Sequence, residues 1–170
     1  MPELKGFYDY TEDELSLTLK KGTYAFKVTE AKVGQWDDGR LRLDLQTQVS
    51  QGQYVGKFGP RITMNVETED RTVEGANGTF EVNAEESRIQ LRNRIDNIVD
   101  GRKLQLPNNK WDDVMLNAIA KQVKGAEFIA TCDEDKNGYL RAQRIYAMSK
   151  PPKSFVNGNV TKKSFNLDEV

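Results

Sequence analysis

Histidine is absent from the 170 residues and cysteine occurs once. Without histidine there is no Ser-His-Asp hydrolase, no His-ligated zinc and no ordinary neutral-pH acid/base partner. The single cysteine, Cys132, forms neither an internal disulfide nor a zinc cluster, and is expected as a small buried side chain on a strand. No apolar run approaches the length of a membrane span, about 18 residues or more. Met1-Pro2-Glu3-Leu4-Lys5 has neither the basic n-region nor the apolar h-region of a secretory signal, so a cytoplasmic protein with no membrane attachment is the expectation. Walker A and Gly-rich dinucleotide loops are also missing. Catalytic residues, metal ligands and cofactors are not expected. The chain is not expected to be an enzyme.

What remains is 37% hydrophobic and 30% charged, enough for one domain with a modest core and a well-solvated exterior. The net charge of −1 conceals a polarised chain. Residues 1–14 hold Glu3, Asp9, Glu12, Asp13 and Glu14 against Lys5, and residues 67–86 hold seven acids against Arg71. Between 39 and 63, Arg40, Arg42, Lys57 and Arg61 face only Asp44, an excess of +3. From Lys136 to Leu167 there are seven bases and no acid. The positive stretches coincide with strand-like sequence.

Apolar/polar alternation marks strands at 22–33 (Tyr24, Phe26 and Val28 inward) and 40–49 (Leu41, Leu43 and Leu45 inward). A third strand is expected over 58–66, with Ile62, Met64 and Val66 inward. Asp38-Gly39 predicts a tight hairpin between the first two, and Gly59-Pro60 an edge or bulge. Residues 67–83 read as an acidic connector. Asn83 then resembles an N-cap with Glu86 in capping-box position, opening a helix over 84–100 whose face is Leu91, Ile95, Ile98 and Val99. A second helix over 111–124 presents Trp111, Met115, Ile119 and Val123. Strands at 126–133 and 138–147 close the pattern around an Asn137-Gly138 turn.

Three strands, two helices and two strands is the order of an OB-fold. The expected architecture is therefore mainly β: a five-stranded OB-fold-like Greek-key barrel with a two-helix insertion, about 84–124, between strands 3 and 4. Its boundaries are an N-terminal arm over 1–16, the barrel domain over 17–148, and an extended C-terminal tail over 149–170.

Asp133-Glu-Asp135-Lys-Asn137-Gly138 resembles the front of an EF-hand loop, but Arg144 stands where the bidentate glutamate belongs, so a hairpin turn is expected. Glu81, Glu85 and Glu86 suggest a magnesium-dependent nuclease, yet they fall in the connector and the first helical turn, where solvation and the helix dipole account for them. The stronger signal is basic and aromatic interleaving. Cations track phosphates and aromatic faces stack bases. The candidates are Trp36, Arg40, Arg42, Tyr54, Lys57, Phe58 and Arg61, extended by Arg141, Arg144 and Tyr146 on the last strand.

Leu19-Lys-Lys-Gly-Thr-Tyr-Ala-Phe-Lys-Val, Arg40-Leu-Arg-Leu-Asp-Leu and Gly52-Gln-Tyr-Val-Gly-Lys-Phe, with Gly125-Ala-Glu-Phe-Ile-Ala-Thr and Tyr139-Leu-Arg-Ala-Gln-Arg-Ile, carry a resemblance over residues 17–148. In this pattern the chain resembles a group of bacteriophage single-stranded DNA-binding proteins with an OB-fold. The resemblance implies sequence-independent binding of single-stranded DNA in phage replication, recombination or repair. It carries over to Lys57 and Phe58, and to Arg40, Arg42 and Arg61. It also implies phage or host replication and recombination proteins as partners. The helical block, larger than a minimal OB-fold needs, is available for a homo-oligomer. Many single-strand binders end in a long acidic tail; here only Asp168-Glu169 stand near the end, after a basic stretch. The alternative expectation is a phage assembly or adaptor protein that uses the same small barrel for protein contacts.

Overall fold

The computed structural model describes residues 4, 6–12, 19–156, 159 and 160. The expectations for residues 13–18, which include the entry into the first strand at Leu17, and for the end of the tail at 161–170 lie outside the described residues.

Five antiparallel strands form a strongly curled half-barrel in the order β3-β2-β1-β6-β7. They are β1 (Gly22–Gln35), β2 (Leu41–Val49), β3 (Ile62–Asn65), β6 (Glu127–Glu134) and β7 (Leu140–Ala147). The 14-residue β1 is shared by both halves of the sheet. Its first part, Gly22 to Lys27, pairs with β6, and Phe26 to Gln35 pairs with β2. A bulge between Val28 and Glu30 separates the two parts, and a second bulge lies in β6–β7 after Thr131. Bulges bend a strand and raise its local twist, so the sheet curls at these two places.

The concave face follows the alternation in the sequence. Phe26 stands opposite Val49 on one side and Phe128 on the other, while Leu43 and Leu45 pair with Met64 and Ile62. Phe26, Phe128, Leu43 and Leu45 are fully buried. Each such side chain contributes roughly 1.5–3 kcal/mol by its removal from water. Helices α1 (Ala84–Ile98) and α2 (Asp113–Val123) complete the core with Leu91, Ile95, Ile98, Met115, Leu116, Ile119 and Val123. Both are capped from the sequence: Asn83 Oδ1 accepts from Glu86 N at 2.9 Å and Asp112 Oδ1 from Met115 N at 2.9 Å. Trp111 precedes α2 and packs half-buried against the core.

Two elements differ from expectation. The third strand begins at Ile62, not 58; Phe58 keeps only a lone bridge to Gln48, and Pro60 has no N–H to extend the ladder. The acidic connector contains a hairpin, β4 (Arg71–Gly75) with β5 (Gly78–Val82), paired as a separate two-stranded sheet. The extended tail lies, as far as it is described, against the convex face of β1. Short strands β8 (Phe155–Val156) and β9 (Asn159–Val160) pair with each other, β9 contacts β1, and Ser154 shares a 2.8 Å hydrogen bond with Thr23. This explains why Thr23 is buried while pointing away from the core. Of the described helices, none is long and apolar enough to cross a membrane.

Candidate nucleic-acid interface

The convex face of β3-β2-β1 carries a register of polar and charged rows. Arg42 lies between Asn65 and Gly34, Asp44 between Thr63 and Lys32, and Gln48 between Phe58 and Lys27. From Arg42 to Gln48 this stripe runs about 20 Å, at roughly 3.3 Å per residue.

At one end, the β1–β2 turn holds Trp36 beside Arg42. The Arg42 guanidinium lies 4.6 Å from the indole centroid, and Trp36 Nε1 donates to Asn65 Oδ1 at 2.8 Å. The indole is therefore pinned at its polar edge and 40% exposed. Arg42 also donates from Nε to Asp44 at 2.9 Å, and Thr63 donates to the same carboxylate at 3.0 Å. A phosphate would compete with Asp44 for this arginine.

At the other end, the approach to β3 faces the β6–β7 turn across the opening of the half-barrel. Phe58, Gly59, Pro60 and Arg61 from one side, and Tyr139 and Arg141 from the other, line a groove of about 340 Å³ floored by Leu19 and Leu140. Phe58 and Tyr139 are 67% and 65% exposed. Arg61 is exposed and makes no ion pair among the described residues. The turn is set by Asp135, whose Oδ1 accepts from Asn137 N at 2.9 Å and Tyr139 N at 3.0 Å while Oδ2 accepts from Arg141 Nε at 3.0 Å. The hydrogen bond from Arg141, reinforced by these two amides, holds the Asp135 carboxyl below its ordinary range. These bonds build the hairpin turn expected from Asn137-Gly138.

Beyond Gln48, in the loop that follows β2, Tyr54 packs edge-on against buried Tyr24 at 6.1 Å, with Lys57 Nζ 5.3 Å from its ring. Tyr54 is half-buried, so one edge of the ring serves the core.

The structure places the remaining candidates elsewhere. Arg40 turns to Asp38 (2.8 Å) and Glu67 (3.0 Å), joining the β1–β2 turn to the segment after β3. Arg144 and Tyr146 pair with Thr131 and Ile129, on the part of the convex face beside β1 where Ser154 contacts Thr23. Neither lines the groove.

Tyr139, Lys27 and Lys32 were not singled out from the sequence. Lys27 and Lys32 are exposed on the outward positions of β1, legible from period two on either side of the bulge, and Tyr139 from its place after the Asn-Gly turn. Glu67 was missed as well. It is only 4% exposed and accepts from Arg71 Nε at 2.8 Å and Arg40 Nη1 at 3.0 Å, while its backbone carbonyl accepts from Arg88 at 2.7 Å. The Arg71 hydrogen bond holds its carboxyl below the ordinary glutamate range, against the opposing effect of burial. Cys132 is buried, and burial pushes its thiol up to about 12, consistent with a packing role. Among the described residues no cluster of Cys, Asp and Glu could hold a metal ion.

No protein-family model matches the sequence, and no curated protein matches it.

Proposed function

We propose that the chain is a non-catalytic OB-type module that binds single-stranded DNA without sequence preference along the convex face of β2 and β3. One observation carries the reading: exposed aromatics and arginines converge from two elements distant in sequence onto the groove of Phe58, Arg61, Tyr139 and Arg141. An OB-fold binds oligonucleotides on its second and third strands and on the loops joining strands 1–2 and 4–5. Here the sheet order β3-β2-β1-β6-β7 supports that topology, with two helices between β3 and β6 in the chain. The two corresponding loops carry Trp36 and Tyr139.

Within this reading, Phe58 and Tyr139 stack bases while Arg61, Lys57 and Arg42 contact phosphates. Arg141 exchanges Asp135 for a phosphate or orients Tyr139, whose ring centroid is 5.9 Å away. Arg40 supports the β1–β2 turn rather than touching nucleic acid. Together with the resemblance noted above, the setting proposed is the handling of single-stranded DNA in phage replication, recombination or repair.

Two substitutions test the roles separately. Phe58→Ala should weaken oligo-dT binding by about 1–3 kcal/mol and leave the salt dependence unchanged, as a lost stack does. Arg61→Glu should weaken binding and flatten the log–log salt slope by about 0.7 or more, as a lost phosphate contact does. Equal affinity and slope for both variants and the parent would remove the groove from the account.

A further inference from the structure

A second pocket lies on the helical side, away from the convex stripe. The segment 101–112 loops back over α1 and α2 and leaves a cavity of about 510 Å³ with Leu104, Leu106, Trp111, Met115 and Ile119 in its walls. The loop is fixed rather than loose. Gln122 on α2 accepts from Gln105 N at 2.7 Å and donates to Gln105 O at 2.8 Å, so one side chain clamps both backbone groups. The rim is cationic: Arg92, Arg102 and Lys103 face a single acid, Asp96, which is occupied by Arg92 at 3.0 Å. An apolar pocket with two uncompensated positive charges at its mouth fits an aromatic or aliphatic side chain flanked by acids.

The chain itself carries such a ligand. Gly6 to Asp9 is a turn, with Asp9 N donating to Gly6 O at 3.1 Å and Gly6 N donating to Asp9 Oδ2 at 2.7 Å. The turn projects Phe7 and Tyr8, 85% and 91% exposed and in edge contact at 4.9 Å. Leu4 is 93% exposed beside them. The surrounding sequence is acidic, with Glu3, Asp9, Glu12, Asp13 and Glu14 against Lys5. Two adjacent aromatic rings held in water by a closed turn constitute an unsatisfied apolar knob.

We propose that the Phe7-Tyr8 turn of one copy docks in the helix-pair pocket of a second copy, its acids meeting Arg102 and Lys103, so that the chain self-associates. Charge and apolar character both select this occupant: the arm is the acidic, aromatic partner that the cationic, apolar pocket requires. The contact leaves the DNA stripe free and does not depend on nucleic acid.

The test uses the full chain. Sedimentation equilibrium from about 1 to 100 µM should show concentration-dependent self-association that weakens with salt. Phe7→Ala/Tyr8→Ala alters exposed side chains and should leave the thermal melt intact while weakening association about thirtyfold or more, as loss of an anchor does; Arg102→Glu/Lys103→Glu, which also removes the Arg102 hydrogen bond to Gln122 O, should weaken association and lower Tm. A wild-type chain that stays monomeric throughout, or variants that associate as it does, would overturn the proposal. An oxidised mixture of Tyr8→Cys and Leu106→Cys chains should yield a disulfide dimer. If instead only the double variant forms a disulfide, within one chain, the arm folds back on its own pocket and the proposal fails.

Discussion

Gly59 sits where the approach to β3 crosses the most buried part of the sheet, and replacing it with alanine perturbs fold and groove together. A methyl at this position would come within 2.6 Å of Phe26 Cδ1 and closer still to Phe26 Cε1 and Thr47 Oγ1. Neither neighbour yields readily. Phe26 is fully buried between Val49 and Phe128, and Thr47 Oγ1 donates to Pro60 O at 2.9 Å. The backbone is also tied here, since Gly59 N donates to Thr47 O at 3.0 Å. Overpacking of this kind costs about 1–3 kcal/mol, and contact with rigid core atoms argues for the upper half of that range. Against it, Gly→Ala stabilises by about 0.4–1 kcal/mol through the unfolded chain. The overpacking wins, leaving a net loss of about 1–2.5 kcal/mol, or roughly 2–10 °C in Tm for a chain of this size. Because relief comes by displacing 58–61, Phe58 and Arg61 move too, and oligo-dT affinity should fall with stability. Thermal denaturation followed by circular dichroism, with anisotropy of a labelled oligonucleotide, measures both. A Gly59→Ala chain with an unchanged or raised Tm would refute the packing argument, because it would mean that only the unfolded-state effect operates.

Gly34→Ala provides the contrast: the three atoms nearest its methyl would all belong to the Arg42 guanidinium, with Cζ at 2.7 Å, and that flexible end can swing away. Tm should fall by no more than about 4 °C as the Arg42–Trp36 stack, worth about 0.5–1 kcal/mol, is lost; Trp36 fluorescence and DNA affinity should respond more strongly than the melt. For Glu67, the folded-state pKa is depressed, so its stabilising contribution is complete above the ordinary glutamate range and disappears as pH falls through the folded value. Glu67→Gln should therefore destabilise by roughly 1.5–3 kcal/mol at neutral pH, with the gap to the parent closing as the pH is lowered beneath about 4; a gap independent of pH would show that the charge is not what matters.

The legible parts of the fold were those in which one face is buried. β2 alternates from Leu41 to Val49 with hardly an interruption, and α1 repeats its apolar residues at helical spacing, so burial and sequence pattern coincide. The β4–β5 hairpin gave a weaker signal because it buries little: Phe80 is 56% exposed, and the pairing of Arg71 through Gly75 with Gly78 through Val82 is mainly backbone. Its Asn77-Gly78 step is a turn signal that the surrounding acids masked. In the groove, residue type was legible and partnership was not. Arg40 and Arg42 look equivalent on an outward strand edge. The approach of Glu67, 27 residues away, turns one of them into a structural tie. Tyr139 joins Phe58 only through closure of the half-barrel, a contact that no local spacing reveals.

Single-strand binding on the convex face is checked by titrating a labelled oligo-dT of about 30 nucleotides at two salt concentrations. Binding should be tight and resist displacement by duplex DNA, with a log–log salt slope of about −2 to −3 if Arg42, Lys57, Arg61 and Arg141 engage three or four phosphates. No binding at low salt, or displacement by duplex as readily as by single strand, would contradict it and leave a barrel built for protein contacts.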